Sequence, residues 1–175
     1  MIRDLPRSEF ARVGEIDRTE RIDVVFEQHG TELVACRGAW SAPAWDPDGH
    51  GEHSVAAQRA ALVHYADAGG IARRAFSNGR LVGIGVVVPH IRPTIAQLAY
   101  LHVSQGFRSA GIGSQLSDDL ELLARRAGDT EIVVTATPSE NTVRFYLSRG
   151  YRPLAQPLPE LLELEPEDIH MGKVI

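Results

Sequence analysis

The segment Gln97-Leu-Ala-Tyr-Leu-His-Val-Ser-Gln-Gly-Phe-Arg-Ser-Ala-Gly-Ile-Gly-Ser-Gln-Leu116 constrains the fold more than any other part of the chain. Gln97 to Val103 is apolar and aromatic, without Gly or Pro, which predicts a buried strand. Ser104 to Gly113 is a polar turn in which Gly106 and Gly111 flank Arg108 and Gly113 follows. From Ile112 the spacing changes. Ile112, Leu116, Leu120 and Leu123 recur about once per helical turn, with Asp118, Asp119, Glu121 and Arg125 on other faces. A strand, a glycine turn and a helix start form a natural anion site. A helix N-terminus leaves about four backbone N–H groups unpaired and carries the positive end of the helix dipole. Glycines let a phosphate approach that backbone, and Arg108 adds a fixed positive charge. Arg108-Ser-Ala-Gly111-Ile-Gly113 is therefore read as a cradle for phosphate or pyrophosphate.

Other phosphate motifs fit worse. Gly106 and Gly111 have P-loop spacing, but Ile112 and Gly113 stand where Lys and Ser/Thr belong. A dinucleotide fingerprint fails because Leu116 replaces its third glycine.

The 175 residues suit one domain spanning 1–175, with 43% hydrophobic and 23% charged residues. A net charge of −5 speaks against a nucleic-acid partner, which needs a basic face, and is compatible with a cationic amine. Cys36 is the only cysteine, which excludes an intrachain disulfide and a cysteine-rich zinc site. No apolar run approaches the roughly 18 residues of a membrane span. Met1-Ile-Arg-Asp-Leu-Pro places charges where a signal peptide has its apolar core. The expectation is a cytoplasmic domain without a membrane partner.

In chain order, Met1 to Asp4 is read as an edge strand and Ser8 to Asp17 as a helix. Phe10, Val13 and Ile16 share one face of that helix, and Ser8 is its N-cap. Ile22–Glu27 and Glu32–Arg37 form a hairpin around Gln28-His29-Gly30-Thr31. Gly38 to Gly51 is read as a loop whose Trp40 and Trp45 line a substrate mouth or anchor the loop to the core. Its Asp46-Pro-Asp48-Gly sequence suits a plain turn; as a calcium loop it fails, because Ala57 stands where the last glutamate belongs. Ser54 to Asp67 is a second helix ended by Gly69-Gly70. Asn78-Gly79 turns a hairpin between Ala75–Ser77 and Leu81–Pro89, and the apolar run Leu81 to Val88 should be a central strand. Thr94–Val103 is its partner. Glu131–Thr137 is a strand, Pro138–Arg149 a turn and helix, and Ile169–Ile175 a last strand. Leu158 to Asp168, with five acidic and no basic residues, reads as a solvated face.

Arg108-x-x-Gly111-x-Gly113 resembles the acyl-CoA loop of the GNAT superfamily of N-acetyltransferases. A second segment, Asn141-Thr-Val-Arg-Phe-Tyr146-Leu-Ser-Arg-Gly150-Tyr151, is similar to that family's Phe-Tyr helix followed by Gly and an aromatic residue. The resemblance covers Leu98 to Tyr151, about a third of the chain. It departs where Ser139 stands in place of the asparagine often found seven residues before the tyrosine; Asn141 lies five before. The resemblance implies an α+β or α/β fold, with a mixed, mostly antiparallel sheet flanked by helices and a strand pair that splays at the acyl-CoA cleft. It also implies acetyl-CoA as co-substrate, with no metal. Leu101, His102 and Val103 would pair with pantetheine through main-chain atoms. Backbone N–H groups of Ser109, Ala110, Gly111, Ile112, Gly113 and Ser114 would hold the pyrophosphate, with Arg108 and Asn141 beside it. Tyr146 would be the acid that protonates the departing thiolate, its alternative role being to pack with its hydroxyl on a carbonyl. The acceptor would be a small-molecule or protein amine, and a homodimer follows by analogy.

Amine acetylation also needs a base. His102, His64, Glu20 and Glu27 are the candidates, and the sequence does not choose among them. Cys36 has no His/Asp pattern around it that would make it a nucleophile. Two other classes stay open: a non-catalytic acyl-CoA sensor, and an unrelated nucleotide-binding module.

Overall fold

Every residue from Leu81 to Val88 is buried, so this apolar run passes through the middle of the sheet, covered on both faces. The computed structural model describes residues 1–175. Its strands and helices are β1 (Ile2–Asp4), β2 (Glu20–His29), β3 (Glu32–Ala42), α1 (Val55–Asp67), β4 (Ile71–Ser77), β5 (Arg80–Arg92), β6 (Ile95–Val103), α2 (Ile112–Ala127), β7 (Glu131–Ala136), α3 (Glu140–Ser148), β8 (Arg152–Pro153), α4 (Pro159–Leu164) and β9 (Ile169–Val174). Seven strands form one sheet in the order β1-β4-β5-β6-β7-β9-β8, while β2 and β3 form a separate hairpin. Only β6 and β7 pair in parallel. The mixed, mostly antiparallel sheet flanked by helices agrees with the sequence reading.

Two local readings are corrected. The first helix is a 3-10 helix, Arg7–Glu15, and its N-cap is Pro6, without a side-chain cap, rather than Ser8. The three-residue spacing of Phe10, Val13 and Ile16 suits three residues per turn, and all three are buried. The supposed loop after Arg37 is strand as far as Ala42, because Ser41 and Ala42 pair with Arg21 and Glu20. Trp40 therefore lies on β3.

One feature of the sheet positions the site. β6 pairs with β7 only at Ile95, Ala96 and Gln97, opposite Glu131, Ile132 and Val133. Beyond Gln97 the two strands part. On its other edge β6 follows β5 with a bulge: Tyr100 faces Val86 and Leu98 faces Val87, leaving Ala99 without an opposite residue. Leu101 and Val103 pack toward α2, against a cluster holding Leu116 and Ile112. Tyr100 packs on the opposite face with Leu62 of α1 and Phe10. The small residues Gly83 and Gly85 let α2 lie close on β5; a Cβ there would stand 2.9 Å from Leu116 Cδ1 and 2.7 Å from Leu120 Cδ1, respectively.

Candidate active site

A cavity of about 740 Å³ opens where β6 and β7 diverge. One end is the turn before α2. Gly111 caps the helix with φ 79°, and Ser109 is also left-handed at φ 64°. The first helical backbone bond runs from Gln115 N–H to the Gly111 carbonyl at 3.0 Å. The N–H groups of Ile112, Gly113 and Ser114 therefore have no helical partner, as expected for a helix start. A Cβ on Gly113 would stand 3.3 Å from Phe145, so glycine lets this turn lie against α3. Ser109, Gly111, Gly113 and Ser114 line the cavity. Ala110 is exposed, and Ile112 packs its side chain on the Leu116 cluster, so only their backbone amides remain as candidates for the cradle.

Arg108 does not project freely into the mouth. Its Nη1 donates to Glu20 Oε2 at 2.8 Å, its Nε to the Val103 carbonyl at 3.3 Å and its Nη2 to the Arg18 carbonyl at 3.3 Å. Asn141, at the start of α3, donates from Nδ2 to the other oxygen of Glu20 at 2.8 Å. Ser139, the departure from the family pattern, is the N-cap of α3 and accepts from Thr142 N–H. It also bridges to Val25 of β2, so the hairpin closes this side of the cleft.

Tyr146 is buried on α3, packs its ring against Phe145 and Tyr151 and faces the cavity. Its hydroxyl has no protein hydrogen-bond partner, and burial raises its pKa. The ring packs as the packing alternative requires, but the hydroxyl bonds to no nearby carbonyl. Leu101, His102 and Val103 all line the cavity. The ring of His102 sits between Tyr100 (centroids 4.7 Å apart) and Trp45 (5.4 Å). Burial, then the charges of Arg18 and Arg108, lowers the His102 pKa to about 4, so the ring is neutral near pH 7.

The four base candidates separate cleanly. Glu20 has both oxygens engaged. Glu27 is exposed beside His29 on the hairpin, and His64 stacks near Tyr65 on α1; neither lines the cavity. His102 alone of the four faces the cavity with no hydrogen bond to the protein. Cys36 lies outside the cavity, and desolvation, then Glu27, raises its pKa, the opposite of a reactive thiolate.

The wall facing α1 holds groups that the sequence did not mark. Arg18 lies over the Trp45 ring at 4.4 Å, and Tyr100 donates to Gln58 Oε1 at 2.9 Å. Trp45 is buried, as an anchor of this segment would be, and lines the cavity, while Trp40 lines it too but is exposed. The acidic stretch is not wholly a solvated face. Glu165 and Asp168 line the cavity, and burial, with Glu165 adding to it, raises Asp168 to about 6. No local pattern distinguishes Asp168, which is partly buried, from its exposed acidic neighbours. Asp46 closes a plain turn, accepting from the N–H groups of Asp48 and Gly49 at 3.1 and 2.8 Å.

The acetyltransferase (GNAT) family model matches residues 19–151. No curated protein matches the sequence. Among solved structures, a nourseothricin acetyltransferase aligns over 99% of this chain and 97% of its own at 16% identity, with a TM-score of 0.73. A protein of Bacillus anthracis str. Ames assigned as a streptothricin acetyltransferase, in complex with acetyl coenzyme A, aligns over 98% and 96% at 13% identity and TM-score 0.69. An aminoglycoside 6′-N-acetyltransferase complexed with coenzyme A aligns over 70% and 82% at 20% identity and TM-score 0.58. At these identities the likeness to solved structures is one of fold.

Proposed function

The chain belongs to the acetyltransferase (GNAT) family, and from that premise we propose that it transfers an acetyl group directly from acetyl-CoA to a primary amine. The observation that carries this reading is the parting of β6 from β7 after Gln97, which joins the unpaired amides of α2 and the Tyr146 hydroxyl in one cavity.

Each residue then has a role. The N–H groups of Ile112, Gly113 and Ser114 hold the pyrophosphate, with Ser109 to Gly111 shaping the turn. Leu101, His102 and Val103 offer their main-chain groups to the pantetheine arm along the edge that β7 leaves open. Arg108 and Asn141, clasped by Glu20, fix the loop and α3 on either side. Main-chain N–H groups near the Ala99 bulge steady the developing oxyanion. The incoming ammonium group must shed its proton before it attacks; His102, held near pKa 4 by burial and the arginine charges, is too weak a base to take it, so the proton passes to solvent through the open mouth of the cavity. The amine nitrogen then bonds to the acetyl carbon as the carbon–sulfur bond breaks; Tyr146 gives its proton to the sulfur, and the proton shed by the new amide nitrogen restores the tyrosine hydroxyl. Burial keeps the Tyr146 hydroxyl protonated until that moment.

Calorimetric titration with acetyl-CoA, with ATP and NAD as controls, tests the first half of the reading; thiol release across a panel of amines tests the second. Micromolar binding of acetyl-CoA and amine-dependent thiol release are expected. Binding without release from any amine favours an acyl-CoA sensor, and preference for ATP favours a nucleotide module.

A further inference from the structure

Arg18 is a guanidinium in the cavity wall that no protein group neutralises. Its Nη1 is buried without a hydrogen-bond partner. Arg108, the other arginine lining the cavity, is paired with Glu20, whereas Arg18 forms no ion pair. Burial pulls its pKa below the ordinary arginine value, but a guanidinium keeps its proton at any physiological pH. Arg18 as a whole is partly exposed, but its buried Nη1 with no partner is unfavourable. The cavity is where its counter-charge can enter.

The surroundings define that counter-charge. The backbone on both sides of Arg18 is pinned: Asp17 N–H donates to Ser104 Oγ at 3.0 Å, Gln105 N–H to the Asp17 carbonyl at 2.8 Å, and Thr19 Oγ1 to Gln105 Oε1 at 2.8 Å. The guanidinium carbon stands 4.4 Å from the centroid of the Trp45 ring, and its Nη1 has no partner, which leaves N–H donors for a carboxylate. Glu52 acts on Arg18 electrostatically without pairing with it. The pyrophosphate does not compete, because the α2 amides that would hold it lie toward the Leu101 and Val103 face of β6, whereas Arg18 sits over Trp45 on the His102 face. The same cavity offers Glu165 and Asp168, neither in an ion pair, to a cationic group.

We propose that the acceptor amine also carries a carboxylate, as an amino acid does, and that Arg18 on Trp45 is the seat of that carboxylate. This rests on the amine-acetylation reading above. The test compares each common amino acid with its decarboxylated amine and its methyl ester. Two readouts are used: kcat/KM for thiol release, and thermal stabilisation of the CoA-loaded protein, which needs no turnover. At least one amino acid should exceed both relatives by about tenfold or more, the scale of a charge-assisted pair. Arg18→Met should erase that margin and Arg18→Lys should keep part of it. Amines or esters that perform as well as the acids overturn the seat, as does a margin that survives Arg18→Met. Ethanolamine phosphate preferred over β-alanine overturns the carboxylate. If no amine of any kind turns over, the amine-acetylation reading fails, and the stabilisation series still decides Arg18: equal shifts for acid and amine overturn the seat, while an acid-specific shift lost in Arg18→Met upholds it.

Discussion

Glu20 Oε2 accepts a 2.8 Å charge-assisted hydrogen bond from Arg108 Nη1, tying the hairpin strand β2 to the turn before α2. Its other oxygen accepts from Asn141, so one carboxylate joins the two segments proposed to embrace the cofactor. Both partners are partly solvated, which reduces the value of the pair. Glu20→Ala should cost about 1–2 kcal/mol, or a few degrees in Tm for a domain of this size. It should also weaken acetyl-CoA binding by loosening the loop. Thermal melts and calorimetric titration check this. Unchanged affinity in a folded Glu20→Ala variant would mean that the clasp is structural only.

Tyr146→Phe removes one hydroxyl and leaves the packing with Phe145 and Tyr151 in place. If that hydroxyl protonates the sulfur, kcat should fall by about 10²–10⁴, with little change in acetyl-CoA affinity or Tm. Steady-state kinetics beside a binding titration separate the two effects. Full activity in this variant would remove Tyr146 from the chemistry.

His102 and Asp168 should give opposing pH dependences of stability. His102 titrates near 4 in the folded protein against 6.5 ordinarily. Between those values the unfolded chain holds the extra proton, so this group's stabilisation is complete above pH 6.5 and lost as pH falls toward 4. Asp168 titrates near 6 against 3.8 ordinarily. There the folded chain holds the extra proton, so its contribution is present below 3.8 and lost as pH rises toward 6. The two slopes offset, each at most about 1.4 kcal/mol per pH unit. Relative to wild type, Asp168→Asn should gain stability as pH rises from 4 to 6, and His102→Asn should lose it. Urea midpoints at pH 4.5 and 6 read both signs.

Gly85 has no room for a branched side chain. A Cβ there meets Leu120 Cδ1 at 2.7 Å, and Leu120 is fully buried. Gly85→Val should therefore cost about 1–3 kcal/mol by overpacking and displace α2, whose N-terminus is the proposed pyrophosphate cradle. A lower urea midpoint together with weaker acetyl-CoA binding is expected. A stability loss with unchanged binding would uncouple the helix position from the cradle.

Much of this architecture was legible locally. Asn78-Gly79, Ser54 as N-cap of α1, and the change from strand to helix spacing at Ile112 are set by backbone preferences and periodicity over a few residues. The unpaired amides at the start of α2 follow from the same local rules. Tertiary structure decided what depends on residues distant in the chain. Phe10, Val13 and Ile16 fit either an α or a 3-10 period, and packing of all three in the core accompanies the 3-10 form. Ser41 and Ala42 are strand because β2 stands beside them. Glu20 meets Arg108 and Asn141 across 88 and 121 residues. Arg18 finds Trp45 but no carboxylate, and Asp168 alone among its acidic neighbours is driven toward neutrality by burial. A side chain's periodicity is set by its neighbours in sequence, whereas its charge balance is set by its neighbours in space, so the turn proposed as a cradle could be read from the chain and the wall proposed for the acceptor could not.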